Sequence, residues 1–172
     1  MKLIKKLLIL ATSLALSVWM LCSCNATIYR YDHAELYTAG SFTYESSAVQ
    51  TVDLDWVEGN VTIQKAQGDT CSVTESNPAQ SLDAQVHYYL DGATLRVKYC
   101  KSGCWIKDIN ASNKTLLLEV PENVSLVLSS VSSIITVEEN AFPSLSADLV
   151  AGSLTAPNLS ATVHRGKPPV GA

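Results

Sequence analysis

Helical periodicity, catalytic motifs and closely spaced histidines are all missing from this chain of 172 residues. Only 16 % of its residues are charged and 47 % are hydrophobic, which suits one globular domain and excludes a disordered chain. The histidines are His33, His87 and His164, and no two of them have a short metal-ligand spacing. No G-x-S-x-G segment is present, although the members of a serine triad need not be adjacent. We therefore expect no enzyme, no metal site and no cofactor.

Acidic residues are missing from the first 23 residues, which differ in composition from the rest of the chain. Lys2, Lys5 and Lys6 precede an uncharged apolar run over residues 7–21. This layout predicts a signal peptide over residues 1–23, because the run is too short and ends too abruptly for a membrane-spanning helix. An uncleaved anchor and a buried core helix are the alternatives.

Two cysteines end this segment, and they are not equivalent. Leu21, Cys22 and Ser23 precede Cys24, and an aliphatic residue three positions before a cysteine with a small one directly before it resembles the lipobox of bacterial lipoproteins. Cys22 fits less well, because the bulky Leu21 would directly precede it. We predict that Cys24 carries palmitate-type acyl chains and anchors the chain to the cell membrane on its extracytoplasmic side. A plain secretory signal is the alternative.

Basic residues are scarce after position 23. Removing the signal removes three of the 12 basic residues and none of the 16 acidic ones, which leaves a net charge of −7. This charge argues against nucleic acid as a partner and against a polybasic contact with anionic lipid. The expected partners are the membrane, through the lipid, and a protein or glycan of the envelope.

Alternation of apolar and polar residues predicts strands through most of the remaining chain. Residues 24–47 show no clean period and are either a membrane-proximal tether or an irregular first strand. From position 48 the apolar runs alternate, with a turn predicted at Glu58–Gly59, a hairpin turn at Asp91–Gly92 and a break at 121–123. The same alternation predicts that His87 faces solvent. The chain is predicted to be all-β.

A faint repeat occurs in the last third of the sequence. With a step of roughly 20 residues, Leu128 overlays Leu149 and the serines of 129–133 fall near Ala151–Gly152. A short strand, a corner of small residues, a second strand and a looser return are typical of the rungs of a β-solenoid, or β-helix. A β-sandwich whose strands recur at a similar spacing is the alternative.

Three segments of the sequence resemble a known protein family. "VDLDWVEGNVTI", "YYLDGATLRVKY" and "KTLLLEVPENVSLVLSSVSS" are similar to the DUF4097 family, whose β-strand-repeat domains occur on bacterial envelope proteins and carry an adhesin name. The resemblance covers roughly residues 48–163 and implies a β-strand-repeat domain, here placed at 48–164. Val131, Ser132 and Ser133 replace the glycine usual at the first corner. Residues 165–172 are expected to form a flexible or truncated tail.

Few side chains suggest chemistry. Asp53, Asp55 and Glu58 form an acidic trio, which favours a solvated strand face over a calcium site or a pair of glycosidase carboxylates. Cys100 and Cys104 are candidates for a small disulfide loop outside the cytoplasm, and Cys71 is expected to be buried in its strand. A zinc site of three cysteines would still need a fourth ligand.

The sequence therefore predicts a lipid-anchored extracytoplasmic binding or structural module, adhesin-like and without catalytic activity. An accessory protein that binds a membrane sensor in envelope-stress signalling is the alternative. A carbohydrate-active enzyme is a weaker third hypothesis, because no paired carboxylates with basic residues in one cleft are evident.

Overall fold

The computed structural model describes residues 28–109, 114–138, 142–156 and 162–165. Within these ranges it contains no α-helix, which confirms the all-β prediction, and none of its short helical turns could span a membrane. Cys24 and the predicted signal lie outside the described residues, as do positions 166–172 of the predicted tail. The strands are β1 Thr38–Ala39, β2 Phe42–Glu45, β3 Thr51–Lys65, β4 Thr70–Ser76, β5 His87–Asp91, β6 Thr94–Lys98, β7 Thr115–Val120, β8 Ser125–Val137, β9 Leu145–Leu149, β10 Ser153–Thr155 and β11 Thr162–Arg165.

Parallel pairing organises the central part of the sheet. One edge of β3 pairs first with β6 and then with β7, and its other edge pairs with β8 along nearly its whole length. β9 and β10 then pair with β8, and β11 pairs with β9. The strands are therefore stacked in layers, and each layer has a first arm, a corner and a second arm. We call each layer a rung. The rungs are β6–β7, β3, β8 and β9–β10, with β11 extending the first arms.

Each rung bends sharply at its corner. β3 has 15 residues and would span about 46 Å if it were straight. β7 ends opposite Lys65 and β8 begins opposite Thr51, so the chain returns from one end of β3 to the other between Val120 and Ser125. Five residues reach roughly 18 Å at most. The two ends of β3 must therefore lie close together, which is the coil predicted for solenoid rungs, and the whole sheet curls into a half-barrel.

Small residues stack at the corner from one rung to the next. Gly59 pairs with Ser133, and a side chain placed on Gly152 would lie 2.1 Å from the Ser133 carbonyl oxygen. Ser133 is fully buried, and its backbone N–H donates to Ser130 Oγ at 3.2 Å. The serines at this corner are therefore accommodated because a glycine lies on each side of Ser133.

Three local predictions need correction or adjustment. The step from β8 to β9–β10 is 19 residues, so Leu128 pairs with Ala147 and the predicted overlay on Leu149 is wrong by two positions, because Gly152 has to stack on Ser133. Glu58–Gly59 bends a continuous strand instead of ending it, since both arms of β3 pair with β8. The predicted hairpin of β5 and β6 is present, and its connecting residues are 92 and 93.

Antiparallel strands cover the β6–β7 rung, and we call β1, β2, β4 and β5 the cap. β5 pairs with β6 and β1 pairs with β5, whereas β4 pairs with β7 and β2 pairs with β4. Phe42 and Tyr88 stack with ring centroids 3.8 Å apart, which joins β2 to β5. Segment 24–47 thus contributes β1 and β2 to the sheet.

The core lies inside the bend of the rungs. Its largest fully buried side chains include Trp56, Tyr99, Leu54, Ile63, Leu95, Leu116, Leu118, Leu126, Leu128 and Ile135. Cys71 is also fully buried, as predicted. His87 is buried, which makes the prediction of a solvent-facing ring wrong, because Asp83, Lys101 and Lys114 approach it from segments that strand alternation does not reveal.

Candidate functional site

Tyrosine rings line a surface groove beside the cap. Tyr31 and Tyr37 have ring centroids 4.7 Å apart, and Tyr37 and Tyr89 have ring centroids 5.5 Å apart. All of these rings are half-buried, so each keeps an accessible face or edge. We call this row, with the cavity of about 460 Å³ that it borders, the tyrosine groove.

Three different segments position the rings. Tyr89 lies on β5 next to Tyr88, and alternation along the strand turns neighbouring side chains to opposite faces. Tyr37 directly precedes β1, which pairs with β5 through Thr38 and Tyr88. Tyr31 is held by a reciprocal pair of hydrogen bonds, in which its N–H donates to Ser102 Oγ and its carbonyl accepts from the same hydroxyl, both at 3.1 Å.

Charged side chains from β3, β5 and β6 complete the groove. Arg96 lies 2.8 Å from Asp53 and 3.1 Å from Asp91, and so bridges two carboxylates. Lys98 lies 3.4 Å from Asp55, and its ammonium is 5.9 Å from the centroid of the Tyr31 ring. Both basic side chains line the groove, which therefore presents fixed donors beside flat apolar rings.

The hydroxyls of Tyr31 and Tyr37 stay protonated near neutral pH. Burial raises the pKa of Tyr31 to about 12 and also raises the pKa of Tyr37. A neutral phenol both donates and accepts hydrogen bonds and its face binds apolar surface, but the Tyr31 hydroxyl is itself buried, so that ring offers a ligand only its face or edge. Flat rings beside fixed hydrogen-bonding groups are suited to a sugar, whose ring presents an apolar face and a rim of hydroxyls.

The predicted acidic trio is divided by the fold. Asp53 and Asp55 do not line the cavity but are paired with Arg96 and Lys98, which do, whereas Glu58 lies at the corner of β3. Within the described residues, no three His, Cys, Asp or Glu side chains are grouped so that they could hold a metal ion. His33 lines the groove with an exposed side chain, 3.9 Å from Glu35.

A second polar cluster is buried where the cap meets the rungs. Lys114 and Glu75 form an ion pair at 3.0 Å, and each side chain is only 3 % exposed. The Lys114 ammonium also donates to the Ala84 carbonyl, and Glu75 accepts the Val86 N–H at 2.6 Å. The Lys114 ammonium lies 4.7 Å from the centroid of the Tyr99 ring.

This ion pair serves structure better than catalysis. Burial lowers the pKa of Lys114, and Glu75 opposes that effect. Lys114 and Glu75 line a cavity of about 740 Å³, but each side chain is only 3 % exposed and the ammonium has close partners on several sides. The pair links β4, the turn at Leu82–Ala84 and the residue before β7.

Sequence reasoning missed both clusters, although one signal was present. Cys71, Val73 and Glu75 are alternate residues of β4, so their side chains point to the same face of the strand, and all three are buried. An inward-facing carboxylate requires a buried partner, so alternation alone indicates that a basic residue must approach it. Nothing local marks Lys114 as that residue, because it is distant in sequence.

Cys100 and Cys104 lie close enough for their thiols to interact, and each thiol donates a hydrogen bond to a backbone carbonyl, Cys100 to Lys101 and Cys104 to Asp83. Both are free thiols in the structure, and burial raises the pKa of Cys100 to about 12. The disulfide stays a prediction. Their loop binds the segment that leads back towards Cys24, since Tyr29 N–H donates to the Cys104 carbonyl at 2.9 Å and Gly103 N–H donates to the Tyr29 carbonyl at 2.7 Å.

Comparisons with known proteins give little guidance to function. No family model matches the chain, so the DUF4097 resemblance stays a prediction, and no curated protein matches it. Among solved structures, a "putative cell adhesion protein" from Clostridium sporogenes is similar, with 10 % identity and a TM-score of 0.44. The similarity covers 73 % of this chain and 67 % of that one. A likeness this distant carries no argument about function.

Proposed function

We propose that this chain is a lipid-anchored, extracytoplasmic binding module, adhesin-like and without catalytic activity, which binds a saccharide in the tyrosine groove. The observation that carries the proposal is the row of Tyr31, Tyr37 and Tyr89 beside the Arg96 guanidinium. The anchor is lipidated Cys24, supported by the lipobox-like residues before it. The β-strand-repeat resemblance to DUF4097 is consistent with such a role.

The groove recognises its ligand without reacting with it. Asp53 and Asp55 are each held by a basic partner, so neither is poised as a free general acid or base. Tyr37 lies between two other rings and provides the central stacking surface. Arg96 is held in place by two carboxylates and can direct its remaining donors to sugar hydroxyls.

Titration calorimetry against purified envelope and surface polysaccharides tests the binding. Tyr37→Ala should raise Kd roughly tenfold or more, because losing a central aromatic contact costs about 1–3 kcal/mol and each tenfold is about 1.4 kcal/mol. Tyr44→Ala is the matched control, since Tyr44 is a half-buried tyrosine that packs on Phe42 and Tyr88 outside the groove. Equal saccharide affinity of Tyr37→Ala and Tyr44→Ala would refute the tyrosine groove as the binding site.

Metabolic labelling with a palmitate analogue tests the anchor separately. We expect the wild-type chain to be labelled and Cys24→Ala to be unlabelled, with Cys22→Ala still labelled. Label that persists in Cys24→Ala would reject Cys24 as the acceptor. Release of shorter saccharides by the wild-type chain, lost in Asp53→Asn, would instead support an enzyme.

A further inference from the structure

The segment nearest the predicted anchor is fixed to the domain. Ile28 forms a bridge with Trp105, and the next residue is hydrogen-bonded in both directions to the loop that carries Cys100 and Cys104. The Tyr29 hydroxyl donates to the Asp55 carbonyl and accepts from the Tyr99 N–H. Tyr29 is buried, so this attachment belongs to the packed domain.

The anchor can therefore lie only a short distance from this loop. Cys24 lies four positions before Ile28, and four residue steps reach roughly 14 Å when fully extended. That reach is about twice the thickness of the headgroup region at one side of a bilayer, which is roughly 5–8 Å. If Cys24 is lipidated, the loop end of the domain must face the membrane surface.

The side chains at this end suit a lipid interface. Trp105, which pairs with Ile28, is 42 % exposed, and Leu82 is 64 % exposed, the largest value among the exposed large hydrophobic side chains of the described residues. Leu82 lies beside the same loop, because the carbonyl of Asp83 accepts the Lys101 N–H at 2.9 Å. The Lys107 ammonium is 5.6 Å from the centroid of the Trp105 ring. Tryptophan with flanking lysine is typical of membrane interfaces.

We propose that Trp105 and Leu82 insert into the phospholipid surface beside the anchor and so fix the orientation of the domain. This inference rests on the lipidation of Cys24 in the proposed function. Lys107 and the exposed Arg30 would contact headgroup phosphates, whereas Lys101 is already paired with Asp83. The contact is mainly apolar and interfacial, because the nearby acidic and basic charges largely balance.

Tryptophan fluorescence tests this contact on the lipidated chain in vesicles of phosphatidylcholine and phosphatidylglycerol with brominated acyl chains. After cleavage before Cys24, the remaining tryptophans are Trp56, which is fully buried, and Trp105. We expect brominated lipid to quench the Trp105 signal about twofold, because interfacial tryptophan lies at the level of the headgroups. Trp105→Phe should leave a signal from Trp56 that brominated lipid does not change.

A tryptophan on another surface is the matched control. Asn123→Trp, made with Trp105→Phe, places an exposed ring in the turn after β7, separated by the length of β7 from the segment that contains Trp105. We expect no quenching of this ring. Equal quenching at both positions, or none at Trp105 in a chain shown by mass to be lipidated, would overturn the orientation and leave the anchor intact. A chain that carries no lipid on Cys24 by mass would overturn the anchor and the orientation together.

Discussion

The rungs and the cap close the same core with different side chains. The rungs use aliphatic residues inside and small residues at the corner, where Gly59, Ser133 and Gly152 meet. The cap and the segment before it carry the aromatic rings. Every ring contact of the described residues includes a ring from positions 29–44, with the exception of the pair Trp56 and Tyr99.

This difference has a physical reason. Parallel rungs place each residue against its equivalent in the next rung, so a large side chain at a corner meets a neighbouring backbone. Antiparallel cap strands are free of that repetition, and their rings can face a groove. The rungs therefore act as the scaffold, and the proposed recognition site combines rings of the cap and its flanking loops with Arg96 and Lys98 of β6.

The largest effect is expected where the two regions meet. Lys114→Met leaves the buried Glu75 carboxylate without its partner, so the free energy of unfolding should fall by about 3–5 kcal/mol. Denaturant unfolding measures the change. The double variant Lys114→Met with Glu75→Leu should be more stable than the sum of the two single losses predicts. Additive losses would show that the ion pair does not join cap to rungs.

A smaller loss is expected at the corner of the rungs. Gly152 and Gly103 have φ of +92° and +95°, but only a side chain at Gly152 would meet neighbouring atoms. Alanine should therefore cost about 1–2 kcal/mol of backbone strain at both positions. Gly152→Ala should cost about 1–3 kcal/mol more, from overpacking against Ser133. Equal thermal destabilisation of the two variants would contradict the stacked corner.

The stability of the domain should depend on pH through His87 of the cap. Burial lowers the pKa of His87 from 6.5, with Asp83, Lys101 and Lys114 as its charged neighbours. The unfolded chain therefore binds a proton at a higher pH than the folded chain does, so stability falls as pH drops below 6.5 towards the folded pKa. His87→Gln should flatten this slope in unfolding curves measured between pH 5 and pH 8. If the pH dependence of stability is unchanged in His87→Gln, the proton taken up on unfolding binds to another group.

The smallest effect is expected at the surface pairs between β3 and β6. Asp53→Asn removes one partner of Arg96, but both side chains are partly exposed and Arg96 keeps Asp91. The loss should be about 0.2–1 kcal/mol and should shrink in high salt. A loss of stability as large as that of Lys114→Met would mean that the Asp53–Arg96 pair contributes strongly to the stability of the rungs.

The alternation of apolar and polar residues predicted the strands and most of their buried faces, but it did not predict which strands pair with each other. It correctly gave the β class and the β5–β6 hairpin, since these depend on local pattern, whereas the overlay of the repeat was two positions out of register. It could not show that Thr51 pairs with Ser125, because a strand's pattern fixes which side is buried and leaves its neighbour open. The tyrosine groove was missed for the same reason. Its rings come together only when β1 pairs with β5.

The step of 19 residues from β8 to β9–β10 limits how this part of the chain can change in length over evolution. Leu126 pairs with Leu145 and Ile134 pairs with Ser153, so duplication of one rung would insert 19 residues and recreate the same edge. An insertion of another size within an arm would shift every later residue against its neighbour and break the glycine–serine stack. Length changes of other sizes are therefore confined to the returns between rungs and to the connection between β6 and β7. That connection carries Trp105, so the proposed membrane contact can vary without disturbing the scaffold.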